Sequence, residues 1–398
     1  MRIAVALAIS KRALRVKPSP TLAVTALAAR LKAEGKDVIG LGAGEPDFDT
    51  PAHISAAGVQ AINSGFTRYT NVDGVPELKD AIIAKFQRDN GIKYERNQIL
   101  VSSGAKQTIF NLCMAVLDPG DEVIIPAPYW VSYPDMALLA DGVPVTPYAG
   151  PEQGYKITAL QLSQAITPRT RLLLINSPSN PTGAAYTAAE WRALGAVLLQ
   201  HPRIAIGTDD MYEKIYWGSE PFTSLLTVVP ELYDRTVTIN GCSKAYAMTG
   251  WRIGYCGGPQ EVVSAMTTIQ GQSTSNAASM SQKAAIAALN GDQTCLTTMN
   301  RAFRERHDYV VAALNTLPGV SCQPASGAFY AFADVSKAIA KLGLKDDNAF
   351  AAYLINGVGV AVVPGAGFGA PGHIRISYAC SLETLKKAIE RMRKALSG

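Results

Sequence analysis

The sequence lacks the features that mark membrane, metal-binding and disulfide-linked proteins. Among its 398 residues, no apolar run approaches the roughly 18 residues that a membrane helix needs. The four histidines share no H-x-x-x-H spacing, which argues against a zinc site. The six cysteines form no C-x-x-C pair and mostly have apolar neighbours, which is typical of reduced thiols in a cytosol. We therefore expect a cytoplasmic protein without a metal and without a membrane segment.

Concentrated charge of one sign is also missing. The net charge is +5 and the basic residues are scattered, so we expect no nucleic-acid partner. The first residues, 1–9, are apolar and faintly resemble a signal peptide, but Ser10, Lys11 and Arg12 follow where small residues would mark a cleavage site. We interpret residues 1–9 as a short N-terminal extension.

The sequence does contain a long alternation of short apolar runs and helical stretches. The runs lie at residues 98–102, 122–125, 171–176, 203–207, 236–239 and 252–256. Such runs are typical of a mainly parallel sheet that is covered on both faces, and ligands of these sheets bind at the carboxyl ends of the strands. We expect an α/β fold in which this sheet forms a large domain over residues 51–290.

The pattern changes after about residue 290. It indicates a long charged helix, a second helix, two strands and a last helix, over residues 293–317, 346–356, 358–363, 373–377 and 382–396. A chain of this length is too long for one typical core. We expect a smaller α+β domain formed by residues 291–398 together with the N-terminal segment, residues 1–50.

One lysine follows a strand-like run in a turn. Lys244 comes after the run 236–240, directly after Ser243 and eight residues before Arg252. Most lysines are exposed, and only a desolvated lysine acts as a nucleophile or holds an aldehyde covalently. Other strand ends carry further polar motifs, Asn176-Ser-Pro-Ser-Asn-Pro-Thr-Gly183 and Thr208-Asp-Asp-Met-Tyr212. Together these groups favour a covalently held aldehyde cofactor.

The motifs resemble those of the class I, fold-type I aminotransferases that use pyridoxal 5'-phosphate (PLP), in the aspartate aminotransferase group. The combination of S-N-P-T-G, D-x-x-Y and S-K-x-x-x-x-x-G-x-R is specific, although each piece alone is weak. The resemblance extends from Lys17 to Tyr378 and is closest to the branch that contains aspartate/prephenate aminotransferases. It implies the PLP-transferase fold of type I, PLP as cofactor, amino acids and 2-oxo acids as substrates, and a homodimer.

The resemblance assigns the catalytic roles. Lys244 would hold PLP covalently and transfer protons, Asp209 would bind the ring nitrogen, and Tyr212 and Asn180 would bind the ring oxygen. The residues alone leave alternatives open. An aspartate at the end of a strand, such as Asp209, is equally typical of a helix N-cap, and the adjacent Asp210 is an alternative candidate for the ring nitrogen. An asparagine before a proline, such as Asn180, is typical of a turn.

The phosphate of PLP requires hydrogen-bond donors. Gly104, Ala105 and Lys106 open a helix after a strand, where backbone N–H groups and the helix dipole favour an anion. By the resemblance, Ser243 and Arg252 add a hydroxyl and a guanidinium group to this site.

Two aromatic residues would complete the cofactor site. The resemblance places Trp130 against the PLP ring and the substrate. It also implies that Tyr69, in a polar loop, reaches from one subunit to the cofactor phosphate of the partner. By themselves, a tryptophan and a loop tyrosine are more typical of ordinary packing.

Substrate recognition requires a group that fits a planar carboxylate. Arg375 lies in an otherwise apolar strand, and its planar guanidinium can donate two parallel hydrogen bonds to a carboxylate. The resemblance implies that Arg375 binds the α-carboxylate of the substrate. It places Gly44, Asn180 and Trp130 beside this carboxylate. An exposed arginine on an alternating strand is the alternative.

The second carboxylate of a dicarboxylate substrate requires a further cationic side chain to bind it. The better-studied branch of the family uses an arginine of the partner subunit, but the corresponding residues 270–276 contain none. Lys106 and Lys17 are the candidates, and the sequence leaves the choice between them open.

We expect a PLP-dependent aspartate aminotransferase that works by a ping-pong mechanism with aspartate or glutamate and a 2-oxo acid, prephenate among them. An aromatic-preferring aminotransferase and a β-lyase are the alternatives within the fold. A non-catalytic PLP-binding regulator would need a DNA-binding domain, and residues 1–37 are too short for one. A dinucleotide-dependent dehydrogenase is disfavoured because G-x-G-x-x-G is missing after the first strand.

Overall fold

A computed structural model describes residues 7–397, so residues 1–6 of the expected N-terminal extension lie outside the described residues. The helices α1 to α15 span Lys11–Leu14, Pro20–Ala33, Ala52–Asn63, Pro76–Asn90, Ala105–Val116, Ser132–Leu139, Ala159–Ala165, Ala188–Leu199, Leu225–Val228, Gln260–Gly271, Ser279–Asn290, Thr294–Leu314, Ser336–Lys341, Asp347–Val358 and Leu382–Ser397. The strands β1 to β13 span Ile39–Gly40, Ile99–Ser102, Glu122–Ile124, Val143–Val145, Thr170–Asn176, Ala205–Asp209, Thr236–Gly241, Gly254–Gly257, Ser321–Cys322, Tyr330–Asp334, Val360–Ala361, Val363–Pro364 and His373–Ser377.

The central element is a seven-stranded sheet with the strand order β2-β8-β7-β6-β5-β3-β4. β8 is antiparallel to both of its neighbours, and the other pairs are parallel. Successive residues of β5 point to opposite faces, so Leu172 and Leu174 join one core and Leu173 and Ile175 join another. Both faces are buried because helices cover each of them. The predicted α/β fold with a mainly parallel sheet is confirmed.

Two smaller sheets involve the end of the chain. A four-stranded antiparallel sheet has the order β12-β13-β10-β9, and β1 pairs in parallel with β11. α15 packs with the apolar face formed by Leu385, Ile389 and Met392, whose spacing follows the helical repeat. The pairing of β1 with β11 supports our proposal that residues 1–50 and 291–398 form one smaller domain.

The single strand predicted over residues 358–363 is wrong. α14 continues to Val358 and ends at Gly359, whose φ of 68° is a left-handed conformation that glycine adopts without strain. After it, β11 pairs with β1 and β12 pairs with β13, with Val362 between them. An apolar run carries no signal of such a change of partner.

The strand predicted over residues 252–256 also begins later. β8 starts at Gly254, and Arg252 lies in the preceding turn with a φ of 57°. Arg252 is therefore held by a turn and not by the sheet ladder.

The structure contains neither a membrane-spanning helix nor a cluster of metal ligands within residues 7–397. No helix there is long and apolar enough to cross a membrane. That part of the chain also contains no group of three or more His, Cys, Asp or Glu side chains that could hold a metal ion. All six cysteines are free thiols.

Candidate active site

The polar motifs meet at one edge of the large sheet. The parallel strands β5 and β6 end in register, with Asn176 opposite Asp209, and β7 ends at Gly241 beside them. The Asn176 side chain donates a hydrogen bond from Nδ2 to the backbone carbonyl of Asp209 at 2.6 Å. Asn176 therefore ties the ends of β5 and β6 together, as expected for a site at the carboxyl ends of strands.

A cavity of about 380 Å³ opens at this edge. The predicted site residues that line it are Gly44, Ala105, Lys106, Trp130, Asn180, Asp209, Tyr212, Ser243, Lys244, Arg252 and Arg375. Gly104 precedes the lining residue Ala105 as the N-cap of α5. Lys17 and Tyr69, like Gly104, do not line the cavity.

Asp209 presents a buried carboxylate to the cavity. Tyr133 donates its hydroxyl to Oδ2 at 2.6 Å, and the Met211 N–H donates to Oδ1 at 3.2 Å. Burial raises the pKa of Asp209, while the Tyr133 hydrogen bond acts in the opposite direction. Asp209 forms no ion pair with any residue between 7 and 397. A buried carboxylate without a cation suits a protonated ring nitrogen.

Lys244 lies in the turn after β7 and is half-buried. Its Nζ donates a hydrogen bond to the carbonyl oxygen of Gly44 at 2.5 Å. Burial, together with the nearby charges of Arg252 and Arg375, lowers the pKa of Lys244 to about 8, while Glu45 and Asp209 act in the opposite direction. A larger fraction of this amine is therefore unprotonated at neutral pH than for an exposed lysine.

The first turn of α5 is suited to bind an anion. The first N–H groups of a helix have no acceptor within the helix. In α5 the Gln107 N–H donates to the Gly104 carbonyl at 2.9 Å, and the preceding N–H groups of Ala105 and Lys106 remain available to a ligand. Arg252 lies beside them and donates to the carbonyls of Thr249 at 3.0 Å and Ser103 at 3.3 Å. Gly104 has a φ of 87°, and a Cβ atom there would collide with the Arg252 guanidinium. Glycine at position 104 therefore keeps Arg252 close to the start of α5.

Arg375, on β13, is 1% exposed and points into the cavity. It donates to Asn180 Oδ1 at 2.9 Å and to the carbonyl of Gly42 at 2.8 Å, and its guanidinium carbon lies 4.4 Å from the centre of the Tyr330 ring. Burial lowers the pKa of Arg375. Its Nε has no hydrogen-bond partner, and no carboxylate in residues 7–397 pairs with it. This unpaired cation suits a substrate carboxylate.

Aromatic side chains form part of the cavity wall. The hydroxyls of Tyr212 and Tyr330 are 2.9 Å apart. Trp130 contacts Tyr133 edge to face, with ring centres 5.3 Å apart, and Lys106 Nζ lies 4.8 Å from the centre of a Trp130 ring. Lys106 and Trp130 thus share one wall of the cavity.

The two lysines proposed for a second carboxylate are in different places. Lys106 lines the cavity with an exposed side chain, and partial desolvation together with the charge of Arg252 lowers its pKa. Lys17 is exposed outside the cavity, although its neighbours Ser19 and Thr21 line it. The structure therefore favours Lys106 and does not bring Lys17 into the site.

Sequence reasoning gave no role to three residues of this site. Tyr133 binds Asp209, Tyr330 contacts both Tyr212 and Arg375, and Asn176 ties two strands together. Tyr133 lies three residues after Trp130, and its N–H donates a hydrogen bond to the Trp130 carbonyl at 3.0 Å, so the turn before α6 brings the two rings into contact. That spacing was the available signal for Tyr133.

Comparison with known proteins identifies the family. Residues 36–392 match the family model for aminotransferase class I and II. The chain belongs to this family. An aspartate/prephenate aminotransferase of Nitrosomonas europaea is 55% identical over 395 residues, which cover 98% of this chain and 100% of the relative. The family predicted from the motifs is confirmed.

Solved aminotransferase structures share the fold. The aspartate aminotransferase of Rhizobium meliloti superposes with a TM-score of 0.95 at 49% identity, covering 98% of this chain and 99% of the other. That of Thermus thermophilus with maleate gives a TM-score of 0.92 at 42% identity, covering 98% and 100%. The predicted PLP-transferase fold is therefore confirmed.

Class I and II aminotransferases depend on PLP, and the residues of the cavity fit it. The unpaired Asp209 carboxylate matches a cationic ring nitrogen, and the start of α5 with Ser243 and Arg252 matches a phosphate. Lys244 Nζ would hold the aldehyde carbon. When bound, PLP supplies an electron-withdrawing ring that makes the α-proton of an amino acid acidic.

The side chains of the cavity would bind and orient the amino acid and move its α-proton. Lys244 Nζ would accept the α-proton and return it, because its lowered pKa leaves part of the amine free as a base. Tyr133 and the Met211 N–H donate to Asp209 and so favour its ionised form. Arg375 would bind the α-carboxylate and so fix the α-carbon relative to Lys244.

Proposed function

We propose that this aminotransferase is a cytoplasmic homodimer that transfers the amino group of L-aspartate or L-glutamate to a 2-oxo acid by a ping-pong mechanism. Oxaloacetate, 2-oxoglutarate and prephenate are the proposed acceptors. Relatives from Nitrosomonas europaea and Cereibacter sphaeroides, both 55% identical, carry the name aspartate/prephenate aminotransferase. A relative from Geobacillus stearothermophilus, 49% identical, carries the name aspartate aminotransferase.

The charge balance of the cavity carries this proposal. Its described lining contains four side-chain cations and one carboxylate, Lys106, Lys244, Arg252, Arg375 and Asp209. Arg375 is buried and Lys244 is half-buried, whereas Lys106 and Arg252 are exposed in the single chain. Cations that face one cavity with a single carboxylate give it a positive potential, which attracts anionic ligands. The cavity therefore suits a ligand set that carries several negative charges.

Assigning each cation leaves one for the substrate side chain. Lys244 holds the cofactor, Arg252 contributes to its phosphate site, and Arg375 binds the α-carboxylate that every amino acid carries. Lys106 remains, and it lies against Trp130 on the cavity wall. A second carboxylate, as in aspartate, glutamate and prephenate, is the ligand group that pairs with Lys106.

Replacing Lys106 by methionine tests this assignment. We expect Lys106→Met to lower kcat/KM for L-aspartate roughly 10–100-fold, the loss typical of a charge-assisted hydrogen bond, and to change kcat/KM for L-phenylalanine far less. Lys17→Met is the matched control, and it should leave the ratio of the two constants unchanged because Lys17 lies outside the cavity. Equal losses for both amino acids in Lys106→Met would remove Lys106 from the second-carboxylate site.

A homodimer is proposed because Tyr69 is 89% exposed in the single chain, and Val59 and Ile62 on α3 are more than half exposed. Exposed apolar side chains of this kind are typical of subunit interfaces. We infer that Tyr69 binds the cofactor phosphate of the partner subunit. Mixed dimers of Tyr69→Ala and Lys244→Ala chains should regain activity that neither parent dimer has, since one site then holds both residues. Mixed dimers as inactive as the parents would contradict this arrangement.

A further inference from the structure

Asp210 follows Asp209 at the end of β6 but does not line the cavity. Its side chain points away from the cavity that Asp209 faces, and the residue is 1% exposed. The Ser224 hydroxyl, at the start of α9, donates a hydrogen bond to Asp210 Oδ2 at 2.7 Å. Asp210 Oδ1 has no hydrogen-bond partner within residues 7–397. Two adjacent carboxyl groups thus occupy very different surroundings.

The cation that acts on Asp210, Lys85, is already engaged. Lys85, on α4, forms a buried ion pair with Glu213 and donates to Asn90 Oδ1 at 2.7 Å. Asn90 in turn donates from Nδ2 to the other oxygen of Glu213, Oε2, at 2.9 Å. Lys85, Asn90 and Glu213 are each less than 9% exposed. This closed network contains one cation and one carboxylate and is therefore neutral without Asp210.

An ionised Asp210 would be an extra buried charge without a partner. Its carboxylate would have one hydrogen bond from Ser224, one bare oxygen and the Glu213 anion nearby. Such a charge is costly in a low-dielectric interior, and a carboxyl group avoids the cost by keeping its proton. Burial and the charge of Glu213 together raise the pKa of Asp210 to about 8. The titratable groups that act on it are Glu213, Lys85, Asp209, Tyr94 and Tyr133.

We propose that Asp210 is a protonated positioning residue that leaves Asp209 as the sole carboxylate anion at the end of β6. A second anion beside Asp209 would raise the pKa of Asp209 by like-charge repulsion and favour its protonated form. A protonated Asp209 cannot pair with a cationic ring nitrogen. The neutral Asp210 instead holds the strand end through Ser224 and through its own N–H, which donates to the Ile239 carbonyl at 2.9 Å.

Infrared difference spectra of the PLP-loaded protein test the protonation state directly. Subtracting the spectrum of Asp210→Asn from that of the natural chain isolates the Asp210 carboxyl group. At pH 6 we expect the carbonyl stretch of a protonated carboxyl, which disappears with a midpoint near the pKa of about 8. A carboxylate band at pH 6 in its place would overturn the proposal.

Glu213→Gln provides a second test that a purely structural role of Asp210 would not affect. This change removes the anion that pairs with Lys85 and leaves the cation free to interact with Asp210. We expect the midpoint of the Asp210 carbonyl band to fall by at least about one pH unit, because an opposite charge favours the ionised form. The spectrum is measured on protein with uniformly ¹³C-labelled aspartate, which needs no change at position 210. An unchanged midpoint would contradict the network.

The pH dependence of the unfolding equilibrium gives a third test of the protonation state of Asp210. Between pH 5 and 7 an unfolded aspartate is ionised, whereas native Asp210 keeps its proton. The stability that neutral Asp210 provides is therefore present at low pH and lost as pH rises towards 8. Relative to Asp210→Asn, the unfolding equilibrium constant of the natural chain should rise about tenfold per pH unit over this range. Asp80→Asn, at an exposed ion pair with Arg96, is the control and should show no such trend. A flat difference for Asp210→Asn would refute the proposal.

Discussion

Lys244→Ala is expected to lower the rate of transamination by at least about 10⁴-fold, because it removes both the covalent attachment of PLP and the base that moves the α-proton. The first-turn N–H groups of α5, Ser243 and Arg252 are untouched, so the variant should still bind PLP without linking to it. Borohydride reduction followed by mass spectrometry of peptides measures the difference. The natural chain should carry the cofactor on Lys244, and the variant should carry none.

Lys244→Arg is the matched control for charge. An arginine keeps the positive charge between Asp209 and Arg375 but stays protonated in proteins, so it neither forms the covalent link nor accepts the α-proton. We expect it to be as inactive as Lys244→Ala. If Lys244→Arg kept more than a tenth of the natural activity, position 244 would act only through its charge, and the assigned chemistry would be wrong.

Arg375→Leu is expected to lower kcat/KM by about 10²–10³-fold for every amino acid tested, which corresponds to the loss of a buried charge pair with the α-carboxylate. L-Aspartate and L-phenylalanine should lose similar factors, since both carry that carboxylate. The effect differs from that of Lys106→Met, which is expected to act mainly on aspartate. Steady-state kinetics with the two amino acids distinguishes the two positions.

Two measurements distinguish a loss of carboxylate binding in Arg375→Leu from a loss of folding. An unpaired buried cation carries a desolvation cost that leucine lacks, so the variant should unfold at or above the natural temperature. Arg375→Lys keeps the charge but loses the planar fork, and it should recover only part of the activity. A loss confined to L-aspartate would show that Arg375 binds the second carboxylate and not the first.

The site residues at strand ends were the easiest to predict from the sequence. Asp209 and Lys244 follow apolar runs, and parallel strands bring their carboxyl ends to one edge of the sheet. Short buried strands leave a strong pattern because both of their faces are apolar. The resemblance then supplied the roles, and the structure shows most of the assigned side chains around one cavity.

Features that depend on the three-dimensional direction of a side chain could not be predicted. Lys17 and Lys106 are equivalent in the sequence, but only Lys106 points into the cavity. Asp209 and Asp210 are adjacent, and the alternation of a strand sends one into the cavity and the other into the network of Lys85. The end of α14 at Gly359 depends on a left-handed backbone that the apolar run around it conceals.

The measurement that tests the central claim most directly is a half-reaction followed by absorbance. The PLP-loaded protein is mixed with L-aspartate alone, and then with oxaloacetate or prephenate after the free amino acid has been removed. The account predicts that aspartate converts the cofactor to its amine form and that either acceptor restores the original spectrum. No spectral change with aspartate would contradict the proposed donor, and restoration by oxaloacetate but not by prephenate would remove prephenate from the proposed acceptors.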